Sequence, residues 1–294
     1  MPKKYLFLLF SILPYVTFAQ TDTLLNEINI LAKEAKGKVC VYAHLIEDSV
    51  ELNYYGDELC VMQSVFKIPI ALHILDKIDK GEFSLLHKIH IPSKKMIKET
   101  WSPMRDSFPD GNVNMTFDKL LSYMVSQSDN IACDVLINHI GKPVAVQKYI
   151  RKSGFEDFEM KYNEAAMHKK WKNQYSNVCS AKMMTQLLTK FYKGQLLSKT
   201  NTDYLYQLMT ASTSGANRIK KYLPEDIIVA NKTGTSATNS NGMTAAVNDV
   251  GIIHLPNGKH LVLSVFICDA YADYNSLEDT IAKISKLIYD VFKE

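Results

Sequence analysis

The chain has 294 residues, 47% hydrophobic and 22% charged, an ordinary globular balance and enough for one large domain or two sharing a core. Its formal net charge of +3 falls to +1 when residues 1–19, with Lys3 and Lys4, are removed, so nothing points to nucleic acid or an acidic membrane as partner. Five cysteines (Cys40, Cys60, Cys133, Cys179 and Cys268) are widely spaced with no Cys-x-x-Cys pair, which argues against structural zinc and reads mostly as small buried hydrophobes.

Pro2-Lys3-Lys4 is a basic end, Tyr5 to Val16 is apolar, and Thr17-Phe18-Ala19 offers a cleavage site. This reads as a signal peptide cut after Ala19, and the mature protein is expected in the periplasm without a stable membrane anchor. Thr21 to Lys36 has helical spacing, with Leu24, Leu25, Ile28 and Leu31 on one side. Val39–Leu45 and Ser49–Tyr55 read as strands joined at Glu47-Asp48. From Val61 to Met209 helical periodicity dominates, over Val65–Lys80, Thr116–Val125, Ile131–Ile140, Pro143–Ser153 and Ala181–Lys193. Strands return at Ile227–Lys232, Thr244–His254 and Leu261–Asp269, the last two joined by the turn Pro256-Asn-Gly-Lys259, and Ser276–Phe292 is a final amphipathic helix. The expected class is α/β (α+β). A five-stranded antiparallel sheet flanked by helices forms a discontinuous lobe from residues 20–60 and 210–294. Residues 61–209 form an inserted all-α lobe, with the chemistry in the cleft between the two.

Four short motifs carry chemistry. Ser64-Val-Phe-Lys67 stacks a hydroxyl and an amine on one helix face ahead of an apolar run, where burial would make the lysine a base. About two such matches are expected by chance. Ser128-Asp129-Asn130 sits between two helices, where it can aim side chains into a cleft, cap a helix, or do both. Lys232-Thr233-Gly234-Thr235-Ser236 ends a strand and offers an ammonium and hydroxyls to a carboxylate, or is an ordinary strand end. Glu164 lies in a stretch with no strand pattern, where a solvated surface charge is the plain alternative.

In this order and at these separations the motifs resemble those of the class A serine β-lactamases. The resemblance spans nearly the whole mature chain and implies the β-lactamase/transpeptidase-like fold. It implies that Ser64 forms an acyl-enzyme, that Lys67 takes or relays its proton, and that Ser128 passes a proton to the lactam nitrogen. Glu164 would activate the water that releases the product. Asn130 would hold the substrate's acylamide side chain. Lys232, Thr233, Thr235 and Ser236 would receive its carboxylate, and the N–H groups of Ser64 and Thr235 would form an oxyanion hole. Arg218 resembles an arginine that some members supply to the carboxylate, and is otherwise a surface charge. No cofactor or metal is implied. The implied partner is a small β-lactam, and the protein is expected to be a monomer.

Several positions depart from the family pattern. His168 replaces an asparagine near the deacylating water, so it either positions that water or braces the loop. Tyr162 replaces an arginine that clasps the loop, Lys169–Asn177 lengthens it, Gln63 precedes the nucleophile, and the helix disulfide of some members cannot form. These departures resemble a divergent subgroup that favours cephalosporins, including bulky oxyimino ones. Trp101 either walls the cleft rim or packs in the core. Two competing readings share the motifs: a penicillin-binding D-Ala-D-Ala carboxypeptidase or transpeptidase, and a non-catalytic β-lactam sensor domain. Metal-dependent hydrolysis is disfavoured because His87 and His90 lack a third ligand.

Overall fold

The computed structural model describes residues 18–294, so all but Phe18 and Ala19 of the signal segment expected at residues 1–19 lies outside the described residues. The strands are β1 (Lys38–Leu45), β2 (Val50–Tyr54), β3 (Leu59–Val61), β4 (Lys88–Ile91), β5 (Val113–Thr116), β6 (Phe158–Met160), β7 (Asn177–Ser180), β8 (Val229–Thr235), β9 (Thr244–His254) and β10 (His260–Ala270). The helices are α1 (Phe18–Glu34), α2 (Lys67–Asp79), α3 (Pro103–Ser107), α4 (Phe117–Ser126), α5 (Asn130–His139), α6 (Lys142–Lys152), α7 (Glu164–Met167), α8 (Ala181–Tyr192), α9 (Lys199–Thr210) and α10 (Tyr274–Phe292).

The main sheet is antiparallel with order β2-β1-β10-β9-β8, so its centre pairs the two ends of the chain, with Val41 opposite Val265. It is covered on both faces. Val41, Leu263, Val265 and Ile267 pack against Ile28 of α1 and Leu277, Ile281 and Ile288 of α10. Cys40, Tyr42, Ile252 and Phe266 face the other way and join the core of the helical region. Double coverage explains why β9 and β10 read as near-continuous apolar runs rather than alternating ones.

The inserted region is built around α2, buried from Lys67 to Leu75 and packed against α4, α6 and α9. Polar side chains fix where its helices begin: Thr116 accepts from Lys119 N–H at 3.2 Å, Ser180 from Met183 at 3.0 Å and Ser198 from Asn201 at 3.3 Å. Helices dominate here, but the region also carries a two-stranded sheet, β4-β5, and a three-stranded one, β3-β7-β6. The small strands escape sequence periodicity because they are only three or four residues long. The expected hairpin turn is present: Leu255 N–H reaches Lys259 O at 2.9 Å and Gly258 takes φ +80°, a left-handed value that glycine adopts without a Cβ penalty. No helix among the described residues is long and apolar enough to cross a membrane.

Candidate active site

Ser64 lies in a single turn of 3-10 helix, Gln63–Phe66, that feeds directly into α2. The expected helix from Val65 is therefore two pieces, and the change of helix type brings Ser64 and Lys67 together: Lys67 Nζ is 3.0 Å from Ser64 Oγ. Lys67 is fully buried and also lies 2.7 Å from Ser128 O, 2.6 Å from Asn130 Oδ1 and 2.9 Å from Glu164 Oε1. An ammonium has three protons, and these three oxygens can take all of them. Glu164 is 2% exposed, and its Oε1 is 3.4 Å from Ser64 Oγ.

The Ser-Asp-Asn break divides its labour. Asp129 is the cap: it accepts from Ala132 N–H at 2.8 Å, Ser102 Oγ at 2.7 Å and Met104 N–H at 2.7 Å. With Asp129 anchored, its neighbours turn inward to Lys67. Ser128 has φ +58° and Gln63 has φ +48°, two non-glycine residues in the left-handed region beside Ser64. Such strain persists only where surrounding contacts over-determine it.

Strand β8 brings the third motif. Lys232 is fully buried, and its Nζ donates to Ser128 Oγ at 2.8 Å and Thr233 O at 3.1 Å. Burial pushes its ammonium well below the usual lysine range, and the nearby Lys67 adds to that. At Gly234 the close approach is that of the protein's own backbone: a Cβ there would sit 2.4 Å from Met62 O. Asn248 on β9 ties the same turn down, its Nδ2 donating to Val61 O at 2.8 Å and Met62 O at 3.1 Å.

Arg218 is neither a surface charge nor free for a ligand. It is 2% exposed, paired with Glu278 at 2.9 Å, and donates to Asn248 O at 2.7 Å. Its remaining nitrogen reaches Thr235 Oγ1 and Tyr274 Oη, each at 2.7 Å, so it touches the end of β8 at the Thr235 hydroxyl and, from Nη1, at Gly234 O at 3.2 Å. Thr233 Oγ1 is 2.8 Å from Ser214 Oγ. Ser236 does not line the cleft: its hydroxyl donates to Ala237 O and accepts from Ala246 N–H, bracing the strand end.

Glu164 begins the four-residue helix α7. Asn163 caps it by accepting from Ala166 N–H at 3.0 Å, and Asp134 on α5 accepts from the N–H groups of Glu164 at 2.8 Å and Ala165 at 2.9 Å. Burial raises the Asp134 carboxyl to about 6. His168 places Nδ1 2.8 Å from Glu164 O and 3.7 Å from its Oε2, with its own side chain 57% exposed. The segment after it is a 3-10 helix, Trp171–Ser176, locked to the turn that carries Ser64 where Gln63 Nε2 donates to Gln174 Oε1 at 2.6 Å.

Ser64, Ser128, Asn130, Glu164, Thr233 and Thr235 line a cleft of about 450 Å³, and a second hollow of about 330 Å³ continues from it beneath Asn163–Lys169, reaching Ile97, Val135 and Asn138. Trp101 stands on the cleft wall, 64% exposed and held by Nε1 to Gln127 O at 2.9 Å, so it is a rim residue and not core. Asp134, Gln174, Asn248, Tyr274 and Glu278 escaped the sequence reading, since none sits in a motif.

The chain matches the sequence profile of the beta-lactamase enzyme family over residues 23–292. It is 41% identical to beta-lactamase VEB-1 of Pseudomonas aeruginosa across 99% of this chain and 98% of that one. The protein belongs to the class A β-lactamases. It is also 34% identical to extended-spectrum beta-lactamase PER-1 of Pseudomonas aeruginosa, over 96% of this chain and 91% of that protein. The crystal structure of the TLA-1 extended-spectrum β-lactamase superposes with a TM-score of 0.91 at 41% identity, covering 93% of this chain and 99% of that one. The five-stranded antiparallel sheet with its many helices is thus the class A fold.

Proposed function

We propose that this β-lactamase is exported and opens the lactam amide of cephalosporins and penicillins through an acyl-enzyme on Ser64. Glu164 activates the water that releases the product. The observation that carries this reading is the buried carboxylate of Glu164, 2.9 Å from Lys67 Nζ and 3.4 Å from Ser64 Oγ. A transpeptidase or sensor that keeps its adduct has no use for a base in that place.

In acylation, Lys67 passes a proton to Glu164 and takes one from Ser64, whose oxygen then attacks the carbonyl. The N–H groups of Ser64 and Thr235 receive the developing oxyanion, an interaction worth on the order of 100- to 1000-fold per donor in other hydrolases. Ser128 sits between the amines of Lys67 (3.4 Å) and Lys232 (2.8 Å), which suits it to hand a proton to the departing nitrogen and take one back from Lys67, which recovers its own from Glu164 and so returns that carboxylate to its basic form. Thr233 and Thr235 hold the substrate carboxylate, with Lys232 behind them. Arg218 serves that site by orienting the Thr235 hydroxyl. Asn130 spends its oxygen on Lys67 and its Nδ2 on Thr100 Oγ1 at 2.9 Å, and meets the substrate side chain beside them. The hollow beneath Asn163–Lys169 gives a bulky side chain room, which supports acceptance of oxyimino cephalosporins. His168 braces the loop through the Glu164 carbonyl.

The test is turnover of a chromogenic cephalosporin by the purified protein and by Glu164→Ala. Steady turnover by the first, and a stable adduct on Ser64 by mass spectrometry in the second, are expected. A stoichiometric burst without turnover in the unmodified protein would instead favour the transpeptidase or sensor reading.

A further inference from the structure

All five cysteines are buried with free thiols, and four of them converge behind the nucleophile turn. Cys40 on β1 stands opposite Phe266, and Cys268 on β10 opposite Lys38, so the two lie diagonally on one face of the sheet. Cys60 lies on β3, a strand packed against β10, and the thiols of Cys268 and Cys40 near it push its own upward. All three are at most 2% exposed and belong to one apolar cluster. Cys179 stands across from Cys60 on β7. The Lys38 ammonium is held beside the trio by Leu59 O at 2.6 Å and Glu58 at 3.4 Å. The Cys60 thiol, and then Lys38, hold the Cys40 thiol below its usual range.

We propose that Cys60 is one half of a disulfide that ties β3 to the central sheet, with Cys40 or Cys268 as the other half. The Cys40 thiolate attacks a disulfide oxidant of the glutathione or protein-dithiol class, forming a mixed disulfide and releasing one thiol. Cys60 then attacks the Cys40 sulfur and releases the second thiol. Two protein S–H bonds give one S–S bond, and two protons and two electrons leave with the oxidant as its two thiols. Attack of Cys268 on the Cys60 sulfur moves the bond to Cys60–Cys268 and needs no further oxidant. Burial closes these thiols in the folded protein, so the reaction belongs to folding or to opening of β3, a strand of only three residues. The bridge fixes the strand that runs straight into Met62, Gln63 and the nucleophile.

The test is refolding of the full chain in a buffer of reduced and oxidised glutathione, followed by alkylation in denaturant and peptide mapping. Of the five thiols, three are expected to be alkylated, with a Cys60 peptide joined to one containing Cys40 or Cys268. The thermal midpoint should exceed that of the reduced protein by on the order of 5 °C. Cys133→Ser should keep the bridge, and Cys60→Ser should leave four alkylated thiols. Five alkylated thiols in the unmodified chain, a glutathione adduct without an internal bridge, or a Cys60–Cys179 bond would overturn the proposal.

Discussion

The two sides of the cleft are held in different ways. Around Ser64 and Lys67 every polar group is buried or pinned by elements of the core: α2 below, the Asp129 cap to one side, and β8 with Asn248 on the other. Glu164 has a buried carboxylate on a helix of four residues, kept in place by Asn163, by the raised carboxyl of Asp134 and by the exposed ring of His168. Ser64, the proposed nucleophile, is thus supported by packed secondary structure. Glu164, the proposed base for release, is supported by Lys67, by Asp134 of α5 and by a few hydrogen bonds within its own short segment, so small changes there should alter deacylation before acylation.

The largest effect expected is that of Glu164→Ala, which should slow turnover by roughly 100- to 10,000-fold, the range for a positioned base, while burst-phase acylation of Ser64 survives. Equal loss of the burst and of steady turnover would erase the distinction between the two sides. Arg218→Ala should be the most destabilising change on the β8 side. It leaves Glu278 buried without its partner and should cost about 3–5 kcal/mol in denaturant unfolding. Gly234→Ala should come next, with loss of about 1–3 kcal/mol from overpacking against Met62 O and a slower acylation burst, both readable on one preparation.

Asp134→Asn tests the loop. With a folded-state value of about 6 against an ordinary 3.8, the carboxyl binds its proton more tightly in the folded protein. Its contribution to stability is present in full below about pH 4 and is lost as pH rises through about 6. The asparagine variant should lack that slope between pH 4 and 6, and by offering one acceptor oxygen where two N–H groups need them it should slow deacylation. An unchanged slope in urea titrations across this range would remove Asp134 from the account. His168→Ala should have the smallest effect, about tenfold or less on deacylation, the worth of one hydrogen bond. Unchanged deacylation together with an unchanged thermal midpoint would leave the histidine without a role.

Much of this molecule was legible from the chain. The long strands and helices announced themselves by apolar runs, turn residues and caps, and the motifs around Ser64, Ser128, Glu164 and Lys232 stood out by residue type and order. Helix α9 and the short strands were not read, because they are brief or weakly patterned and gain their order from partners far along the chain. Arg218 shows the limit well. Sequence left it between a surface charge and a carboxylate ligand, and the fold made it a buried brace between Glu278 and Thr235.

Sequence by itself determined which chemical groups are available and in what order, because local spacing dictates helix faces and strand ends. Tertiary structure alone decided which groups meet. Glu164 reaches Lys67 across nearly a hundred residues of chain, Gln174 reaches Gln63, and Asn248 reaches the turn before Ser64. Such contacts carry no periodic trace, since they arise where separately folded segments are pressed together by the burial of their apolar faces.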